Sequence, residues 1–344
     1  MRPRIALTNV KSLTRCFRLR SRLALEERIA SPWQGEGRVR VGRVTILFVI
    51  IFAVAPISTL GAGKNRAQPH LPGYKAVRVH YDSPNKMLMS VRINGQFADL
   101  LVDTGSNRTI LDAEAAETFG IRPSQRGSTR VNGQLLPIGF MRSLTAGSMS
   151  FGSSPVVLRH SARYGAGTAH VDGVLGLDIL FRHKAVINCR TRVVFFKVDQ
   201  SHHMNLSAVA SSENFTRIPL HREASGALTV SCSIQGQSGR LLVDTGAFLT
   251  TFPETFLESL GISFEPTRLS AQFPSGTTRP MSAAQINDLK IGDFKVPSAK
   301  FGVAALPQYA LRQGSTRISG ILGMDTLYIC HAIIDLDGMN LFLK

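Results

Sequence analysis

Short runs in which apolar and polar residues alternate recur along most of the chain and predict β-strands. Met87 to Ile93 alternates in this way, is followed by the turn-forming pair Asn94-Gly95, and leads into the apolar-rich run Phe97 to Val102. An Asn-Gly pair between two such runs is a strong signal for a tight β-hairpin. The same design returns at residues 228–243. The pattern therefore predicts two similar hairpins far apart in the chain.

Helical patterns are scarce and short. Ala113 to Phe119 and Glu254 to Leu260 each span about two turns, and a glycine follows each run. Another short helix is expected to begin at Asp178 and at Asp325, where an acid suits the positive end of the helix dipole, so we give both acids a structural role. Many short strands with few short helices predict a mostly β protein built from small closed or folded-over sheets.

The repeated hairpins belong to a duplication that covers most of the chain. A shift of 141 residues, from Asp103 to Asp244, superimposes residues 100–105 on 241–246 without a gap. A second block, residues 173–180, matches residues 320–327 at a shift of 147, and this match continues to Lys344. A period this long indicates two homologous lobes and not a repeat array. We predict the lobes at residues 74–200 and 214–344, with an inter-lobe linker at 201–213.

Length and charge exclude some functions. The 344 residues, 44% of them hydrophobic, suffice for two globular cores. The net charge is +17, but residues 1–43 hold eleven Lys or Arg against three acids, a net +8 that leaves +9 for the remainder. That remainder is diffuse, without the aromatic interleaving or the dense basic helix typical of nucleic-acid-binding proteins. We therefore predict no nucleic-acid partner.

The four cysteines do not suggest a metal centre. Cys16, Cys189, Cys232 and Cys330 form no Cys-x-x-Cys pair, and no His stands nearby at ligand spacing. The glycine-rich stretches do not form a phosphate-binding loop. We predict no metal and no cofactor, and we expect the cysteines of the lobes to be buried free thiols.

An apolar run near the N-terminus predicts export. Val44 to Ala55 follows Arg40 and Arg43, and Pro56 interrupts it. Twelve apolar residues are short for a membrane-spanning helix of about twenty and suit a signal-peptide core, although extension to Leu60 would allow an uncleaved anchor. Basic residues upstream favour a cytoplasmic N-terminus and lobes that face outward.

These features divide the N-terminal part of the chain into three segments. They are a basic extension at 1–43, a signal peptide or membrane anchor at 44–63, and a linker at 64–73. The extension is long for the basic region of a signal peptide, so one hypothesis places the true start near Val41. The expected location is the periplasm or cell envelope, either membrane-anchored or released by cleavage.

Each lobe contains one Asp-Thr-Gly sequence, and the pair predicts hydrolytic chemistry. The two segments are Asp103-Thr104-Gly105-Ser106 and Asp244-Thr245-Gly246-Ala247. Two carboxylates about 3 Å apart cannot both ionise, so one can activate a shared water while the other donates a proton. Glycine after each Thr lets the loop turn tightly, so that backbone N–H groups can reach the carboxylate.

Two further elements recur at similar positions in the lobes. The apolar-apolar-Gly block is Val174-Leu175-Gly176 in the first lobe and Ile321-Leu322-Gly323 in the second. About thirty residues after each Asp, glycine turns at Asn132-Gly133 and Ser275-Gly276 separate potential strands. They are either flaps that close over substrate or ordinary surface hairpins.

Together these elements resemble the retropepsin-like aspartic proteases, from about Tyr74 to Lys344. The resemblance implies that Asp103 and Asp244 are the catalytic pair in a single-chain pseudo-dimer. It also implies that the apolar-Gly segments cross behind the Asp loops, and that Thr104 and Thr245 hydrogen-bond across the lobe interface. Lobes of about 130 residues are closer to fused retropepsin units than to pepsin lobes. Neither flap candidate carries the Tyr of the pepsin flap.

The implied function is an aspartic endopeptidase that acts on polypeptides. The alternative is a catalytically silent pair of lobes that binds extended peptides, although the intact Asp and Thr residues argue against such decay. Ser106 stands where the other lobe has Ala247. A hydroxyl can donate to the neighbouring carboxylate, so the hypothesis is that Asp103 carries the charge more often than Asp244.

Overall fold

The computed structural model describes residues 70–82, 85–125, 127–160, 170–273 and 277–344. The predicted extension at 1–43, the apolar segment at 44–63 and most of the linker at 64–73 lie outside these residues. Within the described residues, no helix combines the length and the apolar character needed to cross a membrane. The described chain is mostly β and forms the two predicted lobes.

The first lobe contains eleven strands and two short helices among its described residues. The strands are β1 Tyr74–Arg78, β2 His80–Asp82, β3 Lys86–Ile93, β4 Gln96–Val102, β5 Ile110–Asp112, β6 Ser128–Val131, β7 Gln134–Ala146, β8 Met149–Arg159, β9 Gly173–Leu175, β10 Val186–Asn188 and β11 Val193–Lys197. The helices are α1 Ala113–Thr118 and α2 Leu177–Arg182.

The second lobe follows the short helix α3 (Leu206–Ser212), which lies in the segment predicted as a linker. Its strands are β12 Thr216–Arg222, β13 Leu228–Ile234, β14 Gln237–Val243, β15 Thr251–Pro253, β16 Glu265–Gln272, β17 Thr278–Ile286, β18 Lys290–Ile291, β19 Phe294–Lys295, β20 Ala299–Ala304, β21 Arg312–Gln313, β22 Thr316–Arg317, β23 Gly320–Leu322, β24 Ile333–Asp335 and β25 Asn340–Leu343. Its helices are α4 Glu254–Ser259, α5 Gln308–Leu311 and α6 Met324–Ile329.

The predicted hairpins and helices lie where the pattern placed them. Strands β3 and β4 turn through Asn94 and Gly95, whose φ angles are +50° and +90°, and β13 and β14 turn through Gln235 and Gly236 at +50° and +77°. Two consecutive left-handed residues give the tight turn that matches the twist of a hairpin. Gln235 therefore takes the conformation that Asn94 takes in the first lobe.

The strands of the first lobe close on themselves. They run β3-β4-β9-β5-β8-β7, and β7 pairs back onto β3, while β2 and β6 continue the sheet at either end. In the second lobe the order β13-β14-β23-β15-β20-β17 repeats this path, with β18 completing the contact with β13. The prediction of closed or folded-over sheets is confirmed.

A sheet shared by the lobes joins them, and the sequence pattern did not predict it. Its order is β1-β11-β10-β24-β25-β12, three strands from each lobe. At the seam Ile187 pairs with Ile334, its equivalent in the repeat. Both faces of the sheet are covered, because one face joins the main core and the other packs on Leu71 and on Leu206 and Ala210 of α3.

The cysteines of the lobes behave as expected. Cys189, Cys232 and Cys330 are free and buried. Burial raises the pKa of each thiol, to about 12 in all three cases, so they remain protonated at neutral pH. They therefore pack as small apolar side chains.

Candidate active site

Asp103 and Asp244 lie in equivalent loops, each directly after a buried central strand. Strand β4 pairs in parallel with β9 before Asp103, and β14 pairs in parallel with β23 before Asp244. The pairing continues into the loops, because the backbone N–H of Asp103 donates to the Leu175 carbonyl and that of Asp244 to the Leu322 carbonyl, at 3.1 Å in both cases. The apolar-apolar-Gly blocks are thus hydrogen-bonded alongside the strands that lead into the Asp loops.

Each carboxylate is held by its own loop in the same way. The N–H groups of Gly105 and Ser106 donate to Oδ1 of Asp103 at 2.8 and 3.1 Å. Gly246 and Ala247 donate to Oδ1 of Asp244 at 2.8 and 3.0 Å. These bonds orient each carboxyl group and leave its second oxygen available, and the two carboxyl groups hydrogen-bond to each other.

The glycine of each loop backs onto the carboxyl group of the other lobe. A Cβ atom added to Gly105 would lie 2.4 Å from Cγ of Asp244, and one added to Gly246 would lie 2.6 Å from Cγ of Asp103. No side chain fits at these distances. Glycine is therefore required here for close approach as well as for the turn.

Thr104 and Thr245 cross-link the two loops with four hydrogen bonds. The N–H of each Thr donates to the hydroxyl oxygen of the other at 3.0 Å. The Thr104 hydroxyl donates to the Val243 carbonyl at 2.7 Å, and the Thr245 hydroxyl donates to the Val102 carbonyl at 2.6 Å. Both threonines are buried, so these bonds are shielded from water and fix the separation of the loops.

The electrostatics of the pair follow from burial and proximity. Burial, the Asp244 charge and a hydrogen bond with Asp244 raise the pKa of Asp103 well above its ordinary value. Burial also raises the pKa of Asp244, but the bonds from Gly246, Asp103 and Ala247 oppose that rise. The pKa of both carboxyl groups is thus raised, so the pair retains one proton between them.

The Ser106 hypothesis is wrong on this geometry. The Ser106 hydroxyl donates to the Arg108 carbonyl at 2.7 Å instead of to Asp103. Only the backbone N–H of Ser106 reaches Asp103, and Ala247 supplies the same bond to Asp244. The Ser-to-Ala difference consequently gives Asp103 no additional donor.

Three residues that help to build the site were missed by the sequence reasoning. Thr109 and Thr250 stand six positions after the two Asp residues and bind Asp178 and Asp325. The repeated spacing Asp-Thr-Gly-x-x-x-Thr was a visible signal. The Asn107 side chain donates to the Ser225 carbonyl of the second lobe at 2.7 Å, and no sequence pattern indicated that contact.

The flap candidates are only partly described. Asn132 and Gly133 form the tight turn between β6 and β7, with φ angles of +49° and +84°. In the second lobe β16 and β17 form the equivalent hairpin, but Ser275 and Gly276 lie outside the described residues. The hairpins exist where they were expected, and their role as flaps stays a prediction.

A metal centre was not predicted, and the described part of the chain contains no cluster of three His, Cys, Asp or Glu side chains placed to hold a metal ion. Two half-buried carboxyl groups that share a proton, on loops cross-linked by threonine, define the class of the aspartic proteases.

Comparisons with known proteins agree with this class. Residues 89–179 and 230–326 match the sequence profile of the aspartyl protease family, one segment in each lobe. These segments cover more than half of the chain, and the protein belongs to that family. A search of curated protein sequences found no significant match. Among solved structures, the chain is similar to an aspartic proteinase from Irpex lacteus, with 15% identity, a TM-score of 0.45, and coverage of 79% of this chain and 97% of that one.

Proposed function

We propose that the protein is an aspartic endopeptidase that hydrolyses peptide bonds in polypeptides through a water molecule activated by Asp103 and Asp244. The observation that carries this proposal is the pair itself. Two half-buried carboxyl groups from two lobes share a hydrogen bond, and four backbone N–H groups orient them. A lobe pair that only binds peptides has no need of this arrangement.

A pair that shares one proton contains one acid and one base, and in this proposal Asp103 is the acid and Asp244 is the base. Ionised Asp244 accepts a proton from the attacking water, which adds to the carbonyl carbon of the scissile peptide. Neutral Asp103 donates its proton to the developing oxyanion. As the tetrahedral intermediate collapses, one of its two hydroxyl groups returns a proton to Asp103 and becomes the new carboxyl C=O. The C–N bond breaks, and the amine leaves with the proton that Asp244 took from the water. The pair holds one proton at the start and at the end, as its raised pKa values require.

The cross-linked loops provide preorganisation for this step. A charge that develops on the substrate meets carboxyl groups already fixed by hydrogen bonds, so little reorganisation is needed during reaction. The Thr104 and Thr245 bonds keep the two groups at bonding distance while the lobes accommodate a polypeptide. Displacement by about 1 Å can cost two orders of magnitude in rate.

Substrate hydrolysis is the decisive test. Purified full-length protein is incubated with a denatured protein between pH 3 and 8, in parallel with Asp103→Asn and Asp244→Asn. We expect each substitution to lower the rate by at least about 10³-fold, since each removes one half of the acid–base pair. Activity that survives both substitutions would contradict the proposal. Peptide binding without cleavage by the unaltered protein would support the silent binding module instead.

The same variants carry a stability control with a defined pH dependence. Because folding raises the pKa of Asp103, its contribution to stability is greatest below the ordinary value near 3.8 and is lost as pH rises. Asp103→Asn should therefore raise the Tm at pH 7 by a few degrees, with a gain that disappears near pH 3. An Asp103→Asn variant with a lowered Tm at pH 7 would contradict the assigned protonation.

We further propose that residues 44–63 export the lobes, at 74–200 and 214–344, to the periplasm or cell envelope. The support is the short apolar run after Arg40 and Arg43. A reporter enzyme that folds only outside the cytoplasm, fused after Lys344, should be active in cells. An inactive reporter fusion, with the same reporter active behind a known signal peptide, would contradict this location.

A further inference from the structure

Beneath each active-site loop, a buried threonine hydroxyl is bound to a carboxylate. The N–H and the hydroxyl of Thr109 both donate to Oδ1 of Asp178, at 2.9 and 2.6 Å. In the second lobe the same two groups of Thr250 donate to Oδ1 of Asp325, at 2.7 and 2.8 Å. Both threonines are fully buried. The arrangement recurs in both lobes, although the loops share only part of their sequence.

Each threonine hydroxyl also holds the glycine of the apolar-Gly block. A hydroxyl has one proton, and here that proton is committed to the carboxylate, so its oxygen must accept in the other contact. It accepts from the Gly176 N–H at 3.1 Å in the first lobe and from the Gly323 N–H at 3.0 Å in the second. A Cβ on Gly176 would lie 2.4 Å from the Arg108 carbonyl carbon, so the glycine is also confined sterically.

This glycine connects the threonine to the reacting group. The residue before Gly176 is Leu175, whose carbonyl accepts the N–H of Asp103. Leu322 serves Asp244 in the same way. A path of hydrogen bonds and one peptide unit thus leads from Asp178 to the backbone of Asp103, and from Asp325 to that of Asp244. Displacing the threonine hydroxyl would release the segment against which each Asp loop is held.

The second lobe has one more bond in this network. Thr326 lies 2.7 Å from the Thr250 hydroxyl oxygen, and because the Thr250 proton is used by Asp325, Thr326 is the donor of that pair. In the first lobe Ile179 occupies the equivalent position. Burial raises the pKa of Asp325, although hydrogen bonds from Thr250 and Thr326 oppose the rise.

We infer that Asp178 and Asp325 are positioning residues, whose Oδ1 atoms hold Thr109 and Thr250 and thereby fix the two Asp loops. This inference rests on the proposed function, and it deepens it. Three donors reach each of these oxygens, two N–H groups and one hydroxyl. An acceptor oxygen at that point is therefore required, whereas a negative charge is not.

The acceptor requirement gives a pattern of substitutions that a general loss of stability would not produce. Asp178→Asn and Asp325→Asn retain an oxygen and should keep most of the turnover. Asp178→Ala, Asp325→Ala, Thr109→Val and Thr250→Val should each lower kcat by about 10- to 100-fold through misplacement of the carboxyl groups. KM should change by less than about two-fold, since the altered atoms lie behind the loop.

A matched control separates positioning from folding. Asn205 caps helix α3 by accepting from the Ala208 N–H, on the outer face of the shared sheet. Asn205→Ala removes an exposed capping bond outside the Asp loops and should leave kcat unchanged. Hydrogen exchange of the Gly176 and Asp103 amides should accelerate in Thr109→Val and stay unchanged in Asn205→Ala.

The exchange measurement does not need activity, so it distinguishes failure of this inference from failure of the proposed function. If the unaltered protein hydrolyses nothing, faster exchange at Gly176 and Asp103 in Thr109→Val still supports the structural path, and unchanged exchange overturns it. If the protein is active, an Asn variant as impaired as its Ala counterpart, or a Thr109→Val variant with normal kcat, overturns the inference.

Discussion

The two lobes are nearly the same at the Asp loops and differ at the sheet that joins them. Around Asp103 and Asp244 each backbone donor has an equivalent in the other lobe, with distances that agree within 0.1 Å. At the shared sheet one pair of equivalent positions, Arg190 and Asp337, carries opposite charges. The symmetric part is the part that the proposed chemistry uses, and the remainder has been free to diverge.

The charged positions show this divergence most directly. Lys197 is buried and donates to Asp337 at 2.8 Å, and Lys184 binds the other oxygen of Asp337 at 3.0 Å. In the repeat, at a shift of 147 residues, Lys344 is equivalent to Lys197 and His331 to Lys184. Arg190 is equivalent to Asp337. Burial and the charges of Arg190 and Lys344 lower the pKa of His331, so the second cluster favours a neutral His331 and contains no carboxylate equivalent to Asp337. Lys344 instead donates to the Glu213 carbonyl.

The largest expected effect tests the symmetry of the loops. Gly105→Ala and Gly246→Ala each force a methyl group against the opposite carboxyl group, at 2.4 and 2.6 Å. Each should lower the rate of peptide hydrolysis by about 10³-fold or more, because the pair cannot keep its spacing. Assays of the two variants at equal protein concentration measure this. If one variant kept substantial activity, the loops would not be equivalent.

A smaller effect is expected from the cross-link. Thr104→Val and Thr245→Val each remove a buried hydroxyl and leave a carbonyl and an N–H without a partner. Each should lower the free energy of unfolding by about 2–5 kcal/mol. Denaturant titration would measure both values, and a difference above about 1 kcal/mol would break the symmetry described for these residues.

The charged clusters should respond unequally. Asp337→Asn leaves the buried Lys197 ammonium without its carboxylate and should cost about 3 kcal/mol, whereas Arg190→Gln should change stability by less than about 1 kcal/mol. Although burial raises the pKa of Asp337, the bonds from Lys197 and Lys184 lower it overall.

That pKa direction fixes the pH dependence of the comparison. A carboxyl group with a lowered pKa stabilises the folded state above its ordinary pKa, near 3.8, and loses this contribution as pH falls. The penalty of Asp337→Asn should therefore be full at pH 7 and shrink below about pH 4. Urea titrations at both pH values measure it, and a penalty independent of pH would contradict the ion-pair explanation.

The smallest effect concerns the position where the Asp loops differ in sequence. Ser106→Ala should leave the acid limb of the pH–rate profile unmoved, because its hydroxyl is bound to the Arg108 carbonyl. Ala247→Ser is the matched change in the other lobe. A shift of the acid limb in Ser106→Ala alone would restore a role for the hydroxyl at Asp103.

Local patterns were sufficient to predict much of the fold. Alternation at residues 87–93 with Asn94-Gly95 located the first hairpin, and the duplication located its copy. Spacing within the repeats also located the Asp loops and the segments behind them. These features depend on residues close in sequence or on an exact repeat, so a single chain reveals them.

Contacts between distant residues escaped the sequence reasoning. The seam of the shared sheet joins Val186–Asn188 to Ile333–Asp335, and short apolar strands such as these carry no mark of their partner. The direction of the Ser106 hydroxyl depended on a competing carbonyl two residues away, which residue type alone does not reveal. The sequence shows Thr109 only as part of the repeated spacing Asp-Thr-Gly-x-x-x-Thr. Its role depends on a hydrogen bond to Asp178, which is distant in the chain.

The shared sheet has a consequence for biosynthesis. Translation completes the N-terminal half first, and at that moment β10 has no neighbour on one side, because β24 is still to be made. An open strand edge is a template for wrong pairing with other chains. The nascent first lobe therefore keeps an unpaired strand edge until Ile333–Asp335 is synthesised. Completion of its fold depends on synthesis of the second lobe.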